Sequence, residues 1–329
     1  MNKSYVTTIR LKFDDMENMK AFYLFCSLSL YFCTVFINTL LISAVMFERA
    51  LQEPMYVFFS NLLFNGIIIS TAFLPKLTND ILSETKNISL FGCYAQTFSI
   101  HFCIITELLL LTIMAYDRYI AICYPLRYSM IMTDINVCRL SLCAWFCSFL
   151  INIAGLILVI QLPVCGFVID KPYCDYFSVL KLSCTEYFIN NVYSSVITAV
   201  VVVVPLIIIA YSYIKIIQIC LQKSKESNGK ALKTCFTHVI VFVVYMIGVL
   251  FMVIQQRLAT NNVPHSVYTF LSLEFLLIPP IANPVIYGLR TAKVKLAVIH
   301  LITKLTKGMC TMTHDNKKGC ITRRTRHSQ

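Results

Sequence analysis

An acidic and a basic residue stand side by side near the end of a long apolar stretch, where Asp117 and Arg118 precede Tyr119. A charged side chain in an apolar setting is costly unless it is paired or hydrated. Asp117 beside it can neutralise Arg118. A charge pair of this kind could do no more than anchor a helix at an interface.

Two asparagines and a proline interrupt two other apolar stretches. They are Asn38 in one stretch and Asn283 with Pro284 in the other. Proline has no N–H, so it leaves one helix carbonyl free for water or for a neighbouring side chain. The helix around Pro284 is thereby easier to deform, as a switch requires; the alternative is a static kink. Glu107 is also apolar in its surroundings, and we expect it to be protonated or to face polar neighbours inside the fold.

The cysteines fall into two groups. Of the fifteen in the chain, most lie within apolar stretches, where they pack as small hydrophobes. Four lie in short polar connections and permit three disulfide connectivities in an oxidising environment: Cys93, Cys165, Cys174 and Cys184. No metal-ligand spacing, cofactor motif or nucleophile–base cluster stands out, which disfavours an enzyme.

The composition identifies the setting of these residues. Hydrophobic residues make up 58% of the 329 and charged residues 13%, with a mean hydropathy of +0.72. Soluble domains have roughly 45–50% apolar and about 25% charged residues. The composition therefore predicts an integral membrane protein. Its net charge of +12 then has to be interpreted by the location of the Lys and Arg residues, which collect on one side of a membrane, rather than as a sign of nucleic-acid binding.

Seven stretches are long enough to cross a bilayer as helices, since a span needs about 20 mainly apolar residues. They are Phe22–Met46, Met55–Ile81, Tyr94–Ile122, Val137–Ile160, Asn191–Leu221, Leu232–Leu258 and Ser266–Leu289. We predict an all-α membrane protein, a seven-transmembrane helix bundle with a short amphipathic eighth helix. Its expected parts are an extracellular arm (1–21), the seven-helix bundle (22–289), and a helix with a basic cytoplasmic tail (290–329).

The distribution of cations predicts the orientation. More of the 28 Lys and Arg residues fall inside when the C-terminus is cytoplasmic and the N-terminus external. The glycosylation sequons at Asn2 and Asn87 then both lie outside, where glycan can be attached. We expect a multi-pass protein of the cell membrane.

Several sequence blocks carry a resemblance to a known family. The run MAYDRYIAICYPLRY over 114–128 resembles the signature of vertebrate odorant receptors, a branch of the rhodopsin-like G-protein-coupled receptors. Further blocks of that family follow in order, namely PMY at 54–56, KLSC at 181–184, KALKTC at 230–235 with His238 after it, and PIANPVIY at 280–287. The chain is thus identified as similar to odorant receptors over nearly its whole membrane region.

The resemblance implies a function and a mechanism. It implies a small-molecule odorant as ligand and a heterotrimeric G protein of the olfactory Gs type, with cyclic AMP as messenger. Activation would free Arg118, with Tyr213 and Tyr287 closing around it and His238 belonging to the same switch. The resemblance also selects Cys93–Cys174 and Cys165–Cys184 from the three possible connectivities.

The family's ligand pocket lies in the outer halves of the third, fifth, sixth and seventh spans. By position, the lining would comprise His101, Ile104, Ile105, Thr198, Val249, Val253 and Leu273, with Arg257 at the outer end of the sixth span. Each aliphatic residue could equally serve helix packing, and His101 could equally be a satisfied core histidine. A ligand with an apolar body and a hydrogen-bonding or anionic head, facing His101 or Arg257, would match the layout.

The chain also departs from the family pattern. Gly66 stands where the family has an acid, which argues against a carboxylate-bound sodium site of the usual type, and the Asn65-Gly66 pair resembles receptors of bony fish. Two alternatives remain. One is a rhodopsin-like receptor for an internal metabolite, which tissue expression would distinguish, and the other is a membrane transporter, which usually shows repeats or charged pathways.

Overall fold

A computed structural model of the chain describes residues 7–12, 19–222, 239–254, 265–290 and 293–304. Within them, seven long helices run in chain order: α1 (Lys20–Phe47), α2 (Pro54–Leu82), α3 (Leu90–Cys123), α5 (Asp134–Ile160), α7 (Phe188–Gln222), α8 (Val239–Ile254) and α9 (His265–Arg290). Shorter helices are α4 (Tyr128–Ile131), α6 (Tyr176–Leu180) and α10 (residues 293–304). The predicted all-α membrane bundle is confirmed.

Five of the described helices are long and apolar enough to cross a membrane, namely α1, α2, α3, α5 and α7. The described parts of α8 and α9 contribute the shorter apolar segments Val239–Ile254 and Leu276–Gly288. The expected span from Leu232 to Leu258 extends beyond α8 at both ends, into residues outside the described ranges. Large apolar side chains such as Phe25 and Ile207 are exposed on the bundle surface, as lipid contact requires.

Local sequence sets where the helices begin. Pro54 occupies the first turn of α2, where its missing N–H costs nothing. The Ser89 hydroxyl accepts a hydrogen bond from Gly92 N at 3.1 Å, so α3 begins at Leu90, four residues before the predicted Tyr94. The Thr133 hydroxyl caps α5 in the same way. These polar caps lie outside the hydropathy pattern, so a count of apolar residues misses them.

Helix α3 is the centre of the bundle and packs against α2, α5 and α7. Its buried side chains run from Cys93 to Ile120 and include Gln96, Glu107 and Asp117. The same helix therefore carries a disulfide at one end, an acid in the middle and the Asp117–Arg118 pair at the other. The two ends are called below the disulfide end and the Arg118 end.

A small sheet covers part of the disulfide end and was not predicted. Its order is β2 (Asn87–Ser89), β1 (Thr8–Leu11), β3 (Val168–Ile169), with β1 antiparallel to β2 and parallel to β3. Ile9 and Leu11 are fully buried. The predicted N-terminal arm thus contains a strand whose alternate side chains pack into the fold.

The amphipathic helix α10 lies at the Arg118 end. Val294, Ala297 and Leu301 are buried on one face, as the helical spacing predicts. Lys293 Nζ lies 2.6 Å from Glu53 Oε1, and His300 Nδ1 lies 2.7 Å from Glu48 Oε1. One ion pair and one histidine–carboxylate hydrogen bond therefore join this helix to the connection between α1 and α2.

Candidate functional site

The disulfide end is tied together covalently and by hydrogen bonds. Cys93 is bonded to Cys174 and Cys165 to Cys184, the two pairs that the resemblance implies. Beside the first pair, Gln96 Oε1 accepts from Cys174 N at 2.9 Å, and Gln96 Nε2 donates to a carbonyl of α2 at 3.2 Å. The connection between α5 and α7 is therefore fastened to both α3 and α2.

A cavity opens beneath that connection, between α3, α5, α6, α7 and α8. Its empty volume is about 840 Å³, counted with the open space at its mouth. Six of the predicted ligand residues line it together: His101, Ile104, Ile105, Thr198, Val249 and Val253. The fold thus places most of the predicted lining residues around one cavity.

The two remaining predicted ligand residues have different outcomes. Leu273 on α9 is partly buried against the apolar core and is not among the residues that line the described cavity. Arg257 lies outside the described residues, so an anionic head facing it stays a prediction.

The structure adds a wall that sequence reasoning missed. Helix α5 contributes Asn152 and Gly155, and α6 contributes Tyr176 and Phe177. A Cβ built on Gly155 would lie 3.2 Å from Tyr193 Cε1 and 3.4 Å from Tyr176 Cε2, so two tyrosine rings pack against its bare backbone. The signal in the sequence was a glycine and an asparagine one turn apart in an otherwise apolar span.

His101 has its own partner inside this wall. Its Nδ1 lies 3.0 Å from the Thr97 carbonyl oxygen, to which it donates, and its ring meets the Tyr176 ring edge-on with centroids 6.1 Å apart. One nitrogen is satisfied by the helix itself, and with that tautomer Nε2 is an acceptor. His101 therefore has the hydrogen-bond partner of a satisfied core histidine and also lines the cavity, and its contact with a ligand stays a prediction.

A buried polar cluster, formed by Glu107, Asn65 and Asn283, lies midway along α3. Glu107 is buried and accepts from Asn283 Nδ2 at 2.8 Å and from Asn65 Nδ2 at 3.4 Å. The expectation that Glu107 faces polar neighbours inside the bundle is confirmed. One acid on α3 is thus bound by amides from α2 and α9.

The kink at Pro284 has the partner that its chemistry requires. Because Pro284 lacks an N–H, the Pro280 carbonyl loses its usual helix donor, and Asn38 Nδ2 supplies one at 3.0 Å. A Cβ built on Gly66 would lie 3.4 Å from the Pro280 Cα atom. Gly66 therefore lies next to α9, where an added methyl group would make ordinary van der Waals contact.

The Arg118 end contains the charge pair. Asp117 is fully buried, and its Oδ2 lies 3.4 Å from Arg118 Nη2 without hydrogen-bond geometry. The firmer contact is a hydrogen bond of 2.8 Å from the Tyr128 hydroxyl to Asp117 Oδ1. Sequence reasoning missed Tyr128, although it belongs to the run 114–128.

Two of the predicted switch tyrosines, Tyr213 and Tyr287, are buried. The Tyr287 ring also packs against Phe59, with centroids 4.9 Å apart. His238 lies outside the described residues.

The two glycosylation predictions have different outcomes. Asn87 is exposed on β2 at the disulfide end, and Asn2 lies outside the described residues. Among the described residues, no group of three or more His, Cys, Asp or Glu side chains could hold a metal ion.

Helices of this length and composition, packed as a bundle around a polar core, define a multi-pass membrane protein. A family model described as Olfactory receptor matches residues 25–305. The chain belongs to the olfactory receptor family, whose members are G-protein-coupled receptors for odorants and not enzymes.

Individual relatives agree with that assignment. The chain is 35% identical to Olfactory receptor 4B13 of Mus musculus over 305 residues, which cover 90% of the chain and 96% of the relative. It is 36% identical to Olfactory receptor 6K3 of Homo sapiens over 300 residues, covering 90% and 89%. Olfactory receptor 2K2 of Homo sapiens is 34% identical over 281 residues, covering 85% and 88%.

Proposed function

We propose that this receptor binds a small, mainly apolar odorant in the cavity between α3, α5, α6, α7 and α8. The observation that carries the proposal is that one helix, α3, lines the cavity with His101 and Ile104, and also carries Glu107 and Arg118. A ligand that shifts α3 changes the surroundings of all four residues.

The polar cluster is the proposed route of that shift. Tyr245 on α8 donates to the Ile104 carbonyl at 2.7 Å, and Asn283 on α9 donates to Glu107. Movement of α3 would therefore displace or break hydrogen bonds to both α8 and α9. We infer that the loose Asp117–Arg118 contact opens in response and that Tyr213 and Tyr287 take up the freed guanidinium.

The proposed partner at the Arg118 end is a heterotrimeric G protein of the olfactory Gs type, with cyclic AMP as the messenger. This requires an external N-terminus and a cytoplasmic C-terminus. The cation distribution supports that orientation, and so does the position of both disulfides and the exposed Asn87 at one end of the bundle.

The experiment is a panel of odorants applied to cells that express the receptor with a cyclic AMP reporter. Surface expression is measured in the same cells by antibody staining. A concentration-dependent rise in cyclic AMP that is absent from mock-transfected cells is the expected result. A receptor at the surface that responds to odorants only through a different G-protein class would contradict the Gs assignment and leave the ligand site intact.

A further inference from the structure

Two hydroxyl groups in the cavity wall have no hydrogen-bond partner in the described structure. Thr97 and Tyr176 are 3% and 8% exposed, both line the cavity, and neither Thr97 Oγ1 nor Tyr176 Oη is hydrogen-bonded. Thr106 and Thr112 on the same helix instead donate to carbonyls one turn earlier, at 2.8 and 2.7 Å. Buried polar groups are normally paired, so these two cavity-lining residues each have a hydroxyl group that is still available to a ligand.

The Tyr176 hydroxyl is a hydrogen-bond donor at neutral pH. Burial raises its pKa to about 12, although the neighbouring Asn190 amide opposes the rise. Asn190 Nδ2 is itself buried and outside hydrogen-bond geometry. An amide nitrogen only donates, so even a closer approach of Asn190 would leave the phenolic proton of Tyr176 free for an acceptor.

The described wall of the cavity contains no Lys, Arg, Asp or Glu side chain. The ions next to Tyr176 in the chain are Lys171 and Asp175, which are 2.5 Å apart and buried. Burial raises the pKa of Asp175, but the Lys171 charge and the hydrogen bonds outweigh it and set the pKa at about 2. The pair is therefore internally neutralised, and a charged ligand group against the described wall would be buried without a counter-charge from that wall, which is costly.

We propose that the ligand is a neutral molecule with an apolar body and one oxygen-containing head, a carbonyl or a hydroxyl, which is bound by the Thr97 and Tyr176 hydroxyls. The inference rests on the proposed ligand-binding function and specifies its ligand class. Of the two heads expected from the sequence, hydrogen-bonding or anionic, it selects the hydrogen-bonding one.

The first part of the test is a set of matched compounds on several straight-chain and ring skeletons. Each set contains the hydrocarbon, the aldehyde or ketone, the alcohol, the carboxylic acid and the amine. Binding is measured as thermal stabilisation of the purified full-length receptor in detergent, and signalling as cyclic AMP in cells. We expect the neutral oxygenated compounds to be the most potent, with acids and amines on the same skeleton weaker by about a hundredfold or more, since their charge would be buried unpaired.

The second part uses variants that each remove one hydroxyl, Tyr176→Phe and Thr97→Val. Each should raise the half-maximal concentration for the oxygenated ligand by about three- to tenfold, the effect of one neutral hydrogen bond, and leave that of the hydrocarbon unchanged. Tyr193→Phe is the matched control. The Tyr193 ring lines the same cavity, but its hydroxyl already donates to the Ile151 carbonyl at 2.7 Å, so no preference for the head group should change.

The outcomes separate the inference from the function on which it rests. If acids or amines are the strongest ligands, or if both variants shift hydrocarbon and oxygenated ligand equally, the inference is wrong and the receptor function stands. If neutral oxygenated compounds stabilise the receptor without raising cyclic AMP, the inference stands and the coupling is wrong. If no compound of any class stabilises the folded receptor, ligand binding in this cavity is contradicted and the inference with it.

Discussion

Tyr128 is the side chain that holds Asp117 in place beside Arg118. Its hydroxyl donates to Asp117 Oδ1 at 2.8 Å, whereas Arg118 approaches the other oxygen only to 3.4 Å. Burial and the Asp117 charge raise the pKa of Tyr128 above its ordinary value, so the phenol stays protonated through the physiological range. At the scale of single residues, the resting state of the switch therefore depends on a residue outside the charge pair.

We predict that Tyr128→Phe raises the ligand-independent cyclic AMP level. A hydrogen bond to a charged group contributes about 1.5–3 kcal/mol, and its loss leaves a buried Asp117 oxygen unsatisfied in the resting state. Tyr124→Phe is the control, because Tyr124 is half-exposed and its hydroxyl contacts that of Tyr119 rather than Asp117. Basal cyclic AMP that is equal in Tyr128→Phe and the parent receptor, at equal surface expression, would show that Tyr128 does not restrain the switch.

At the scale of elements, the connection between α5 and α7 is a folded unit with an internal ion pair. Asp175 caps α6 by accepting from Ser178 N at 2.6 Å, and Lys171 neutralises it. Lys171 also lies 5.6 Å from the centre of the Tyr173 ring, which meets Phe73 of α2 edge-on. The connection between α5 and α7, which lies over the cavity, is thus stabilised by the Asp175 carboxylate and its several partners.

We predict that Asp175→Asn destabilises the receptor by about 3–5 kcal/mol, because it leaves the Lys171 charge buried and unpaired. The measurement is thermal unfolding in detergent, with Asp170→Asn as the exposed neighbouring control. The folded pKa of Asp175, about 2, is below its ordinary value. Its contribution should therefore be complete above about pH 4 and disappear as the pH falls toward 2. Equal melting temperatures for the two variants at neutral pH would refute the role of the pair.

The disulfide between α3 and this connection gives a second prediction at the same scale. Cys93→Ser or Cys174→Ser should reduce surface expression and response strongly, since removal of a disulfide costs about 2–5 kcal/mol in small secreted domains. Cys138→Ser is the control, because Cys138 is an exposed free thiol on α5. Mass spectrometry of active receptor should find Cys93 oxidised; a reduced Cys93 in a signalling receptor would disprove the pairing.

At the scale of the whole molecule, much of the fold could be predicted from the sequence because a bilayer imposes length and hydropathy on every span. The missing N–H of Pro284 also predicted a free carbonyl in the last span. The structure shows that Asn38 donates to it at Pro280. The strand β1 was not predicted, because its four alternating residues are the shortest run that indicates a strand and its partners β2 and β3 are distant in the chain. The wall formed by Gly155 and Tyr176 was missed for another reason, since it depends on how α5 and α6 pack and not on any local pattern.

The whole-molecule orientation is tested by epitope tags. A tag placed before Lys3 should be stained on intact cells, and a tag after Gln329 only after permeabilisation, because most cations would then lie inside. Glycosidase treatment of the receptor provides an independent measurement, since Asn87 can carry glycan only outside. The reverse staining pattern would contradict the proposed orientation and with it the position of the G protein.

The most direct test of signal transfer from the cavity to the Arg118 end compares Arg118→Ala with the parent receptor at equal surface expression. Ligand affinity and the cyclic AMP response are measured on the same preparations, with one agonist from the odorant panel. Arg118 lies at the opposite end of α3 from His101 and does not line the cavity. We predict unchanged affinity together with a response reduced to the level of cells without receptor. A variant that reaches the surface, binds the agonist and raises cyclic AMP as strongly as the parent would contradict the mechanism.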